Sequence, residues 1–279
     1  KFFMDFESII SQTRQYNFHS HTQFCDGHAS MELMARAAVG AGMRHYGFSP
    51  HSPIPVSSPC NMLRADVDVY LAEVQRIKAM PELQSCRFYA AMEVDYLGDD
   101  WGPVNEYFKS LPLDYIIGSV HFIPSQSGEY VDIDGHFDSF AKRMKAYFRG
   151  DIDYVVDTFY RQSRAMVEAG GFDILGHFDK VGQNASYYAP GIEDGSHYRQ
   201  CVESLIGMII DRRCVIELNT KAREQHGRFF PGERYLPVLA DAGITILVNS
   251  DAHQPDRIDA SRGEAFNLLD RIRHVASLS

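Results

Sequence analysis

The chain has 279 residues, 45% of them hydrophobic, which is enough to bury the core of one large α/β domain of about 250 residues. Its formal charge of -10, from 37 acidic and 27 basic residues, argues against a nucleic-acid surface, which normally needs a basic stripe. The five cysteines form no CxxC pair and no apolar run reaches about 18 residues, so we expect a cytoplasmic protein without disulfides or membrane contact that acts on a small molecule.

Short apolar or β-branched runs alternate with longer segments of helical spacing, which is the pattern of repeated βα units. Neither an internal repeat nor a low-complexity linker interrupts this alternation, so we expect a single domain over residues 1–279. Seven strands are predicted, at residues 16–19, 45–49, 88–94, 114–120, 172–176, 214–218 and 244–249.

Between these strands the apolar residues recur at helical spacing. Ser30 is a predicted N-cap for the first such segment, and the long stretch 138–169 is expected to form two helices that break near Gly150. The predicted helical segments are residues 30–41, 66–79, 138–169, 196–212 and 233–242.

Metal-binding side chains recur where the predicted strands end. His19 and His21 are two residues apart in a strand and so point to the same face, where both imidazoles can reach one metal ion. In a parallel α/β sheet the carboxyl ends of the strands share one rim, so ligands that are distant in sequence converge there. The other strand-end candidates are His51, Glu93, His121, His177, Asp251 and His253.

Glu93 follows the apolar run 89–91, where a carboxylate is costly to bury unless it meets a cation. One carboxylate can offer an oxygen to each of two metal ions, so Glu93 is a natural bridging ligand. Each histidine taken alone could instead be a core residue bonded to the backbone. Because six of the seven predicted strands end in a ligand, and only the run 216–220 has a polar end without histidine, a shared metal site is favoured.

The same residues resemble the PHP (polymerase and histidinol phosphatase) family from about His19 to His253. The resemblance is carried by His-x-His-Thr with a following Asp-Gly, a later His, a strand-end Glu, two strand-end His residues and a terminal Asp-x-His. The variants His-Thr-x-Phe-Cys-Asp-Gly, Gly-His-Phe-Asp and Glu-Leu-Asn-Thr are most similar to the stand-alone histidinol-phosphate phosphatases. This resemblance implies a distorted (β/α)7 barrel, with the active site at the carboxyl ends of the strands, and three divalent ions.

The resemblance also implies how the ligands are shared among the ions. Some relatives have Gly-His where this chain has Asp26-Gly27-His28, so His28 is an alternative ligand to Asp26. Imidazole and carboxylate ligands suit zinc, iron and manganese alike, which leaves the metal open. The implied ligands are His19, His21, Glu93 and Asp251 for the first ion; His121 and His177, with Glu93 as the bridge, for the second; and Asp26, His51 and His253 for the third.

Such a centre is suited to phosphate-ester hydrolysis, because clustered divalent ions lower the pKa of bound water and hold the phosphoryl oxygens. The resemblance implies hydrolysis of a small-molecule phosphate monoester, L-histidinol phosphate in histidine biosynthesis, and our hypothesis for the nucleophile is a hydroxide that bridges two metals. Glu93, Asp251 and His253 are the predicted catalytic residues. A proton donor for the leaving group is also expected, and His253, Asp251 and Asp179 are all open for that role.

The phosphate needs cationic partners besides the metals. Arg223 is the predicted contact, because related phosphatases place an arginine near this Asn-Thr and guanidinium matches phosphate in bidentate fashion. The spacing here is one residue shorter than is usual in the family, so Lys221 and Arg228 are rivals. Arg161 and Arg64 are further candidates.

Three alternatives stay open at this point. A PHP-type nuclease or nucleotide phosphatase would use the same metal chemistry on nucleic-acid ends or nucleoside phosphates. A non-enzymatic PHP-like module is disfavoured because every matched ligand position is filled. An amidohydrolase-type barrel also uses His-x-His and a late Asp, but it typically requires a carboxylated Lys or a Glu on a middle strand.

Overall fold

A computed structural model describes residues 4–276, and within them a parallel sheet forms the centre of the molecule. The strands are β1 (Tyr16–Asn17), β2 (His45–Phe48), β3 (Arg87–Asp95), β4 (Tyr115–Ser119), β5 (Phe122–Pro124), β6 (Tyr130–Asp132), β7 (Ile174–Leu175), β8 (Ile216–Asn219) and β9 (Ile246–Asn249). Seven of them pair in the order β1-β2-β3-β4-β7-β8-β9, and every pair in this sheet is parallel. β5 and β6 form a separate antiparallel hairpin.

Helices connect the strands and cover the outside of the sheet. Ser30 Oγ accepts the N–H of Leu33 at 3.3 Å and so caps α2, as predicted, while Gly150, with φ 75°, separates α5 from α6. The helices are α1 (Phe6–Gln12), α2 (Met31–Gly40), α3 (Val67–Lys78), α4 (Glu106–Ser110), α5 (Phe137–Tyr147), α6 (Ile152–Ala169), α7 (Val181–Tyr188), α8 (Ser196–Asp211), α9 (Arg223–His226), α10 (Leu236–Asp241) and α11 (Arg262–Ala276).

The first and last strands approach each other and nearly close the sheet into a barrel. The N–H of Phe18 donates to Asn249 Oδ1 at 2.9 Å, and the N–H of His21 donates to the carbonyl of Ala252 at 2.8 Å. Ser20 and Ala252 form an isolated parallel bridge across the same seam. The predicted seven-stranded α/β barrel is therefore confirmed.

Arg262 links the two edge strands β1 and β9 through hydrogen bonds. Its side chain is only 2% exposed and belongs to the first turn of α11. The guanidinium donates to the carbonyls of Tyr16 on β1 and Val248 on β9, the latter at 3.3 Å, and to Asp259 Oδ1 at 2.7 Å. One buried cation thus satisfies backbone acceptors of both edge strands.

An aromatic cluster fills the barrel below its carboxyl end. Tyr89 and Ala91 on β3 pack in one buried cluster with Phe18, Tyr115 and other apolar residues of neighbouring strands. Side chains two residues apart on a strand share a face, so Glu93 continues this inward row at the end of β3. The Glu93 carboxylate therefore lies directly above an apolar floor.

All seven predicted sheet strands are present, and the predicted helices overlap α2, α3, α5, α6, α8 and α10. The hairpin β5–β6 and the helices α1, α4, α7, α9 and α11 were not predicted. None of the described helices is both long enough and apolar enough to cross a membrane.

Candidate metal centre

The strand ends bring all nine predicted ligands into one cluster. In the first group, His19 Nε2 is 3.2 Å from Glu93 Oε2 and 3.7 Å from Asp251 Oδ1. His21 Nε2 is 3.0 Å from the same Asp251 oxygen and 3.5 Å from Glu93 Oε2. Two imidazoles from the end of the first strand thus share two carboxylates from β3 and from the segment after β9.

A second group surrounds the other oxygen of Glu93. Glu93 Oε1 is 2.9 Å from His177 Nε2 and 3.4 Å from His121 Nε2. The two imidazole nitrogens are 3.3 Å from each other. The two oxygens of one carboxylate therefore face different ligand groups, which is the arrangement that a bridging ligand requires.

The third group gathers around Asp26. Asp26 Oδ1 is 3.4 Å from His253 Nε2, 3.7 Å from His21 Nδ1 and 3.8 Å from His51 Nε2. His28 is exposed to solvent, and no metal-binding group of the described residues includes its side chain. The geometry therefore favours Asp26 over His28.

Several buried nitrogen and oxygen atoms of this cluster lack the hydrogen bonds that buried polar atoms normally make. Five of them have no hydrogen-bond partner among the described residues: His19 Nε2, His21 Nε2, Asp26 Oδ1, His51 Nδ1 and Glu93 Oε2. Buried polar atoms are costly without partners. All five residues belong to groups of three or four side chains whose ligand atoms lie within 4.8 Å of one another. A set of imidazole nitrogens and carboxylate oxygens in this arrangement fits divalent metal ions.

Neighbouring histidines of the cluster have pKa values that are shifted in opposite directions. Burial disfavours charge on His19, but the carboxylates of Glu217, Asp251 and Glu93 outweigh it and raise the pKa of His19 well above its ordinary value. Burial, His253 and His51 together lower the pKa of His21 well below the ordinary value. Neighbouring imidazoles repel one another when all are protonated. Protonated histidines alone therefore neutralise the negative charge of these carboxylates poorly.

Glu217 supports the ligands from β8, the strand whose end carries no histidine. Its buried carboxylate accepts hydrogen bonds from His19 Nδ1 at 2.9 Å and from the His177 N–H at 3.0 Å. Asn219 Nδ2 at 3.0 Å and Asn249 Nδ2 at 3.1 Å complete its shell. Accepting from Nδ1 holds His19 in the tautomer that leaves Nε2 free for a metal.

Other contacts orient the remaining ligands. Asp95 Oδ1 accepts from His121 Nδ1 at 2.9 Å and from the His121 N–H at 3.0 Å. Asn219 Nδ2 donates to Asp251 Oδ2 at 3.1 Å, while Asp251 itself has a positive φ of 50°. A Cβ at Gly176 would lie 2.3 Å from Ser119 Oγ, so a larger residue there would displace Ser119 beside the ligand His177.

We expect Glu217→Gln to weaken metal binding about 10- to 100-fold, as is usual when the partner of a metal-bound histidine is lost. Glutamine keeps the volume of the side chain, but its amide nitrogen cannot accept from the donors that surround Glu217. Retention of metal during titration with a chelator, followed by elemental analysis, measures the effect. Glu203→Gln on the exposed face of α8 is the matched control. Equal retention in both variants would contradict the supporting role.

Lys221 lines three cavities, and predicted ligands border two of them, the largest and the smallest of the three. Their volumes are about 310, 230 and 170 Å³, and the smallest is bordered by Asp26, His51 and His121. Lys221 Nζ lies 3.1 Å from His253 Nε2 and 3.4 Å from Asp251 Oδ1. Of the predicted phosphate contacts, Lys221 is thus the one that the structure places at the centre.

The structure does not bring Arg223 to these cavities. Its guanidinium donates to Glu264 Oε2 at 2.8 Å, to Glu233 Oε1 at 3.1 Å and to the carbonyl of Gly227 at 2.9 Å. Two carboxylates therefore already neutralise it, and it lines none of the three cavities. The choice of Arg223 as the phosphate contact is corrected on this ground.

Arg161, Arg228 and Asp179 also lie outside the cavities. Arg161 is exposed and donates to Thr158 Oγ1 at 3.1 Å, and Arg228 pairs with Glu193 at 3.0 Å. Burial raises the pKa of Asp179 to about 6. Its carboxylate nevertheless accepts the N–H of Gly232 at 2.7 Å, away from the ligand cluster, so it is not placed to protonate a leaving group there.

The sequence reasoning did not predict three placements near the centre: Asp95 and Glu217 bond the imidazoles of His121 and His19, and Lys180 lines one of the cavities. The alternation rule could have found Asp95, which is two residues after Glu93 on the same face of β3. A charged residue within the buried strand Ile216–Asn219 was the signal for Glu217. Lys180 follows His177 by three residues, a spacing that does not distinguish it from a surface lysine.

Comparison with known proteins gives a consistent result. The family model described as the PHP domain matches residues 17–221. A protein of Deinococcus radiodurans named "probable histidinol-phosphatase" is 24% identical over 268 residues, which cover 92% of this chain and 91% of that protein. The resemblance predicted from the sequence motifs is therefore confirmed.

Solved structures share the fold. A Listeria monocytogenes protein with a provisional histidinol phosphatase name superposes with a TM-score of 0.76 at 18% identity, covering 89% of this chain and 99% of that one. Histidinol phosphate phosphatase from Lactococcus lactis, complexed with zinc, L-histidinol and phosphate, gives a TM-score of 0.68 at 17% identity, with 93% and 94% covered. At these identities the likeness shows the fold alone.

Proposed function

Because this chain belongs to the PHP domain family, we propose that it is a metal-dependent phosphatase, a phosphoric monoester hydrolase that converts L-histidinol phosphate to L-histidinol and phosphate. The observation that carries the proposal is a set of buried imidazole nitrogens and carboxylate oxygens that have no hydrogen-bond partner and belong to closely spaced ligand groups. The names of the Deinococcus and Lactococcus proteins support the choice of substrate.

Three ions, of zinc, iron or manganese, would match the three ligand groups. Bound there, divalent ions supply a water of lowered pKa and positive charge for the phosphoryl oxygens. The chain's own residues hold this arrangement: Glu93 spans two groups with its two oxygens, and Glu217 and Asp95 fix the imidazoles of His19 and His121.

Lys221 is the proposed phosphate contact among the residues of the loop after β8. Its side chain is 39% exposed, so the ammonium group can turn from Asp251 and His253 towards a ligand in the cavity. Phosphate binding by a lysine is a point-charge interaction that needs no bidentate geometry. We further propose that the whole chain acts as one domain, because residues of the first strand and of the segment after the last strand belong to the same ligand group.

A panel of phosphate esters tests the proposed function. The metal content of the purified protein is measured first, and phosphate release is then compared for L-histidinol phosphate, an aryl phosphate, a mononucleotide and a single-stranded oligonucleotide. We expect the highest kcat/KM for L-histidinol phosphate. Cleavage of the oligonucleotide without turnover of the amino-alcohol ester would instead identify a nuclease. The Glu93→Gln variant, purified in parallel, controls for contaminating phosphatases.

A further inference from the structure

We propose that Lys180 is a second phosphate-binding residue, held in place by Asp134, so that the phosphoryl group lies between Lys180 and Lys221. This inference rests on the proposed function only in taking a phosphate group as the ligand. Lys180 belongs to none of the family motifs quoted above. It lines the same cavity as Lys221, which belongs to the loop after β8.

The position of Lys180 supports this role. It directly precedes α7 and follows the ligand His177 by three residues. Its side chain is only 12% exposed, and its Nζ lies 2.7 Å from Asp134 Oδ2. Lys180 and Lys221 line the same cavity, of about 230 Å³, together with Asp134.

The other cations near the site are engaged elsewhere. Lys180, Lys221 and Arg257 are the lysines and arginines among the described residues that line the three cavities. Arg257 is bonded to Glu224, and Arg223 is held by two carboxylates. Phosphate entering the cavity therefore meets two ammonium groups rather than the guanidinium predicted from the family spacing.

Asp134 supplies the negative charge that pairs with the ammonium group of Lys180. A buried ammonium group near cations would be unfavourable without a carboxylate to pair with it. Asp134 follows the hairpin β5–β6, and its N–H donates to Asp132 Oδ1 at 2.7 Å. Asp132 is in turn paired with Arg143 at 3.0 Å. The ammonium of Lys180 has three N–H donors, so one bond to Asp134 leaves two for phosphate.

The test compares Lys180→Met and Lys180→Arg with Lys142→Met, an exposed control on α5. Binding of inorganic phosphate to each metal-loaded protein is measured by calorimetry, and metal content by elemental analysis. We expect Lys180→Met to weaken phosphate binding about tenfold or more, with unchanged metal content, because a charge-assisted hydrogen bond is lost. Lys180→Arg should restore part of the affinity, and Lys142→Met should match the wild type.

Wild-type phosphate affinity in metal-loaded Lys180→Met would overturn the inference, as would a loss of affinity that is fully accounted for by lost metal. Asp134→Asn is expected to weaken phosphate binding less than Lys180→Met does, and unchanged affinity in this variant would overturn the positioning role of Asp134. Because the ligand is inorganic phosphate, the result does not depend on the substrate. The wild type could fail to hydrolyse L-histidinol phosphate and still need Lys180 to bind phosphate. That result would overturn the proposed substrate and support the phosphate-binding role of Lys180.

Discussion

Replacing Glu93 by glutamine is expected to lower kcat/KM about a thousandfold or more while leaving a folded barrel. Glu93 offers one oxygen to His19 and the other to His177, at 3.2 and 2.9 Å, so the amide would lose one of two acceptor oxygens at the point where two ligand groups meet. Metal-based stabilisation of developing charge is worth several kcal/mol, and about 4 kcal/mol corresponds to this factor in rate.

The measurement is kcat/KM on the best ester of the panel, with metal content determined on the same sample. Glu106→Gln, an exposed glutamate at the start of α4 with 87% side-chain exposure, serves as the control. Circular dichroism establishes that both variants keep their helices. Full activity in Glu93→Gln would show that this carboxylate does not hold metal and would refute the proposed centre.

Substituting Arg262 by methionine is expected to lower the free energy of unfolding by about 3–5 kcal/mol, the range typical of removing one partner from a buried charged network. The guanidinium lies between β1 and β9, where it donates to the carbonyls of Tyr16 and Val248 and, at 3.0 Å, to that of Arg14. Methionine fills much of the volume but leaves these acceptors without their donor.

Urea unfolding of the metal-loaded proteins measures this difference. Arg271→Met, an exposed arginine on the same helix, is the matched control and should change the free energy of unfolding by less than about 0.5 kcal/mol. If Arg262→Met unfolds at the same urea concentration as the control, the seam does not depend on this side chain.

The architecture and the ligand cluster could be predicted from the sequence because both follow from local rules. A run such as 116–120 is apolar enough to be a buried strand, and the histidine after it then lies on the rim shared by all parallel strands. His19 with His21, and Asp251 with His253, are two apart, a spacing that predicts a shared face, although both pairs lie just beyond their strands in the structure. Convergence of these side chains requires no knowledge of long-range pairing.

The residues that surround the ligands could not be assigned in the same way. Arg223 is neutralised by Glu233 and Glu264, and the latter is 41 positions away, so its unavailability depends on the packing of α9 against α11. Lys180 lines a cavity and pairs there with Asp134, which follows the unpredicted hairpin β5–β6. Such ion pairs depend on tertiary contacts and produce no periodic pattern in the sequence.

The near-closure between β1 and β9 has a consequence for folding as well as for chemistry. His21 Nε2 and Asp251 Oδ1 are 3.0 Å apart although the two residues come from opposite ends of the chain, so an ion held by both would link the two ends. Because these two ligands meet only in the folded chain, a bound ion would favour the native state by mass action. Resistance to heat and to proteases should therefore rise with metal concentration, which couples the survival of the protein to its supply of cofactor.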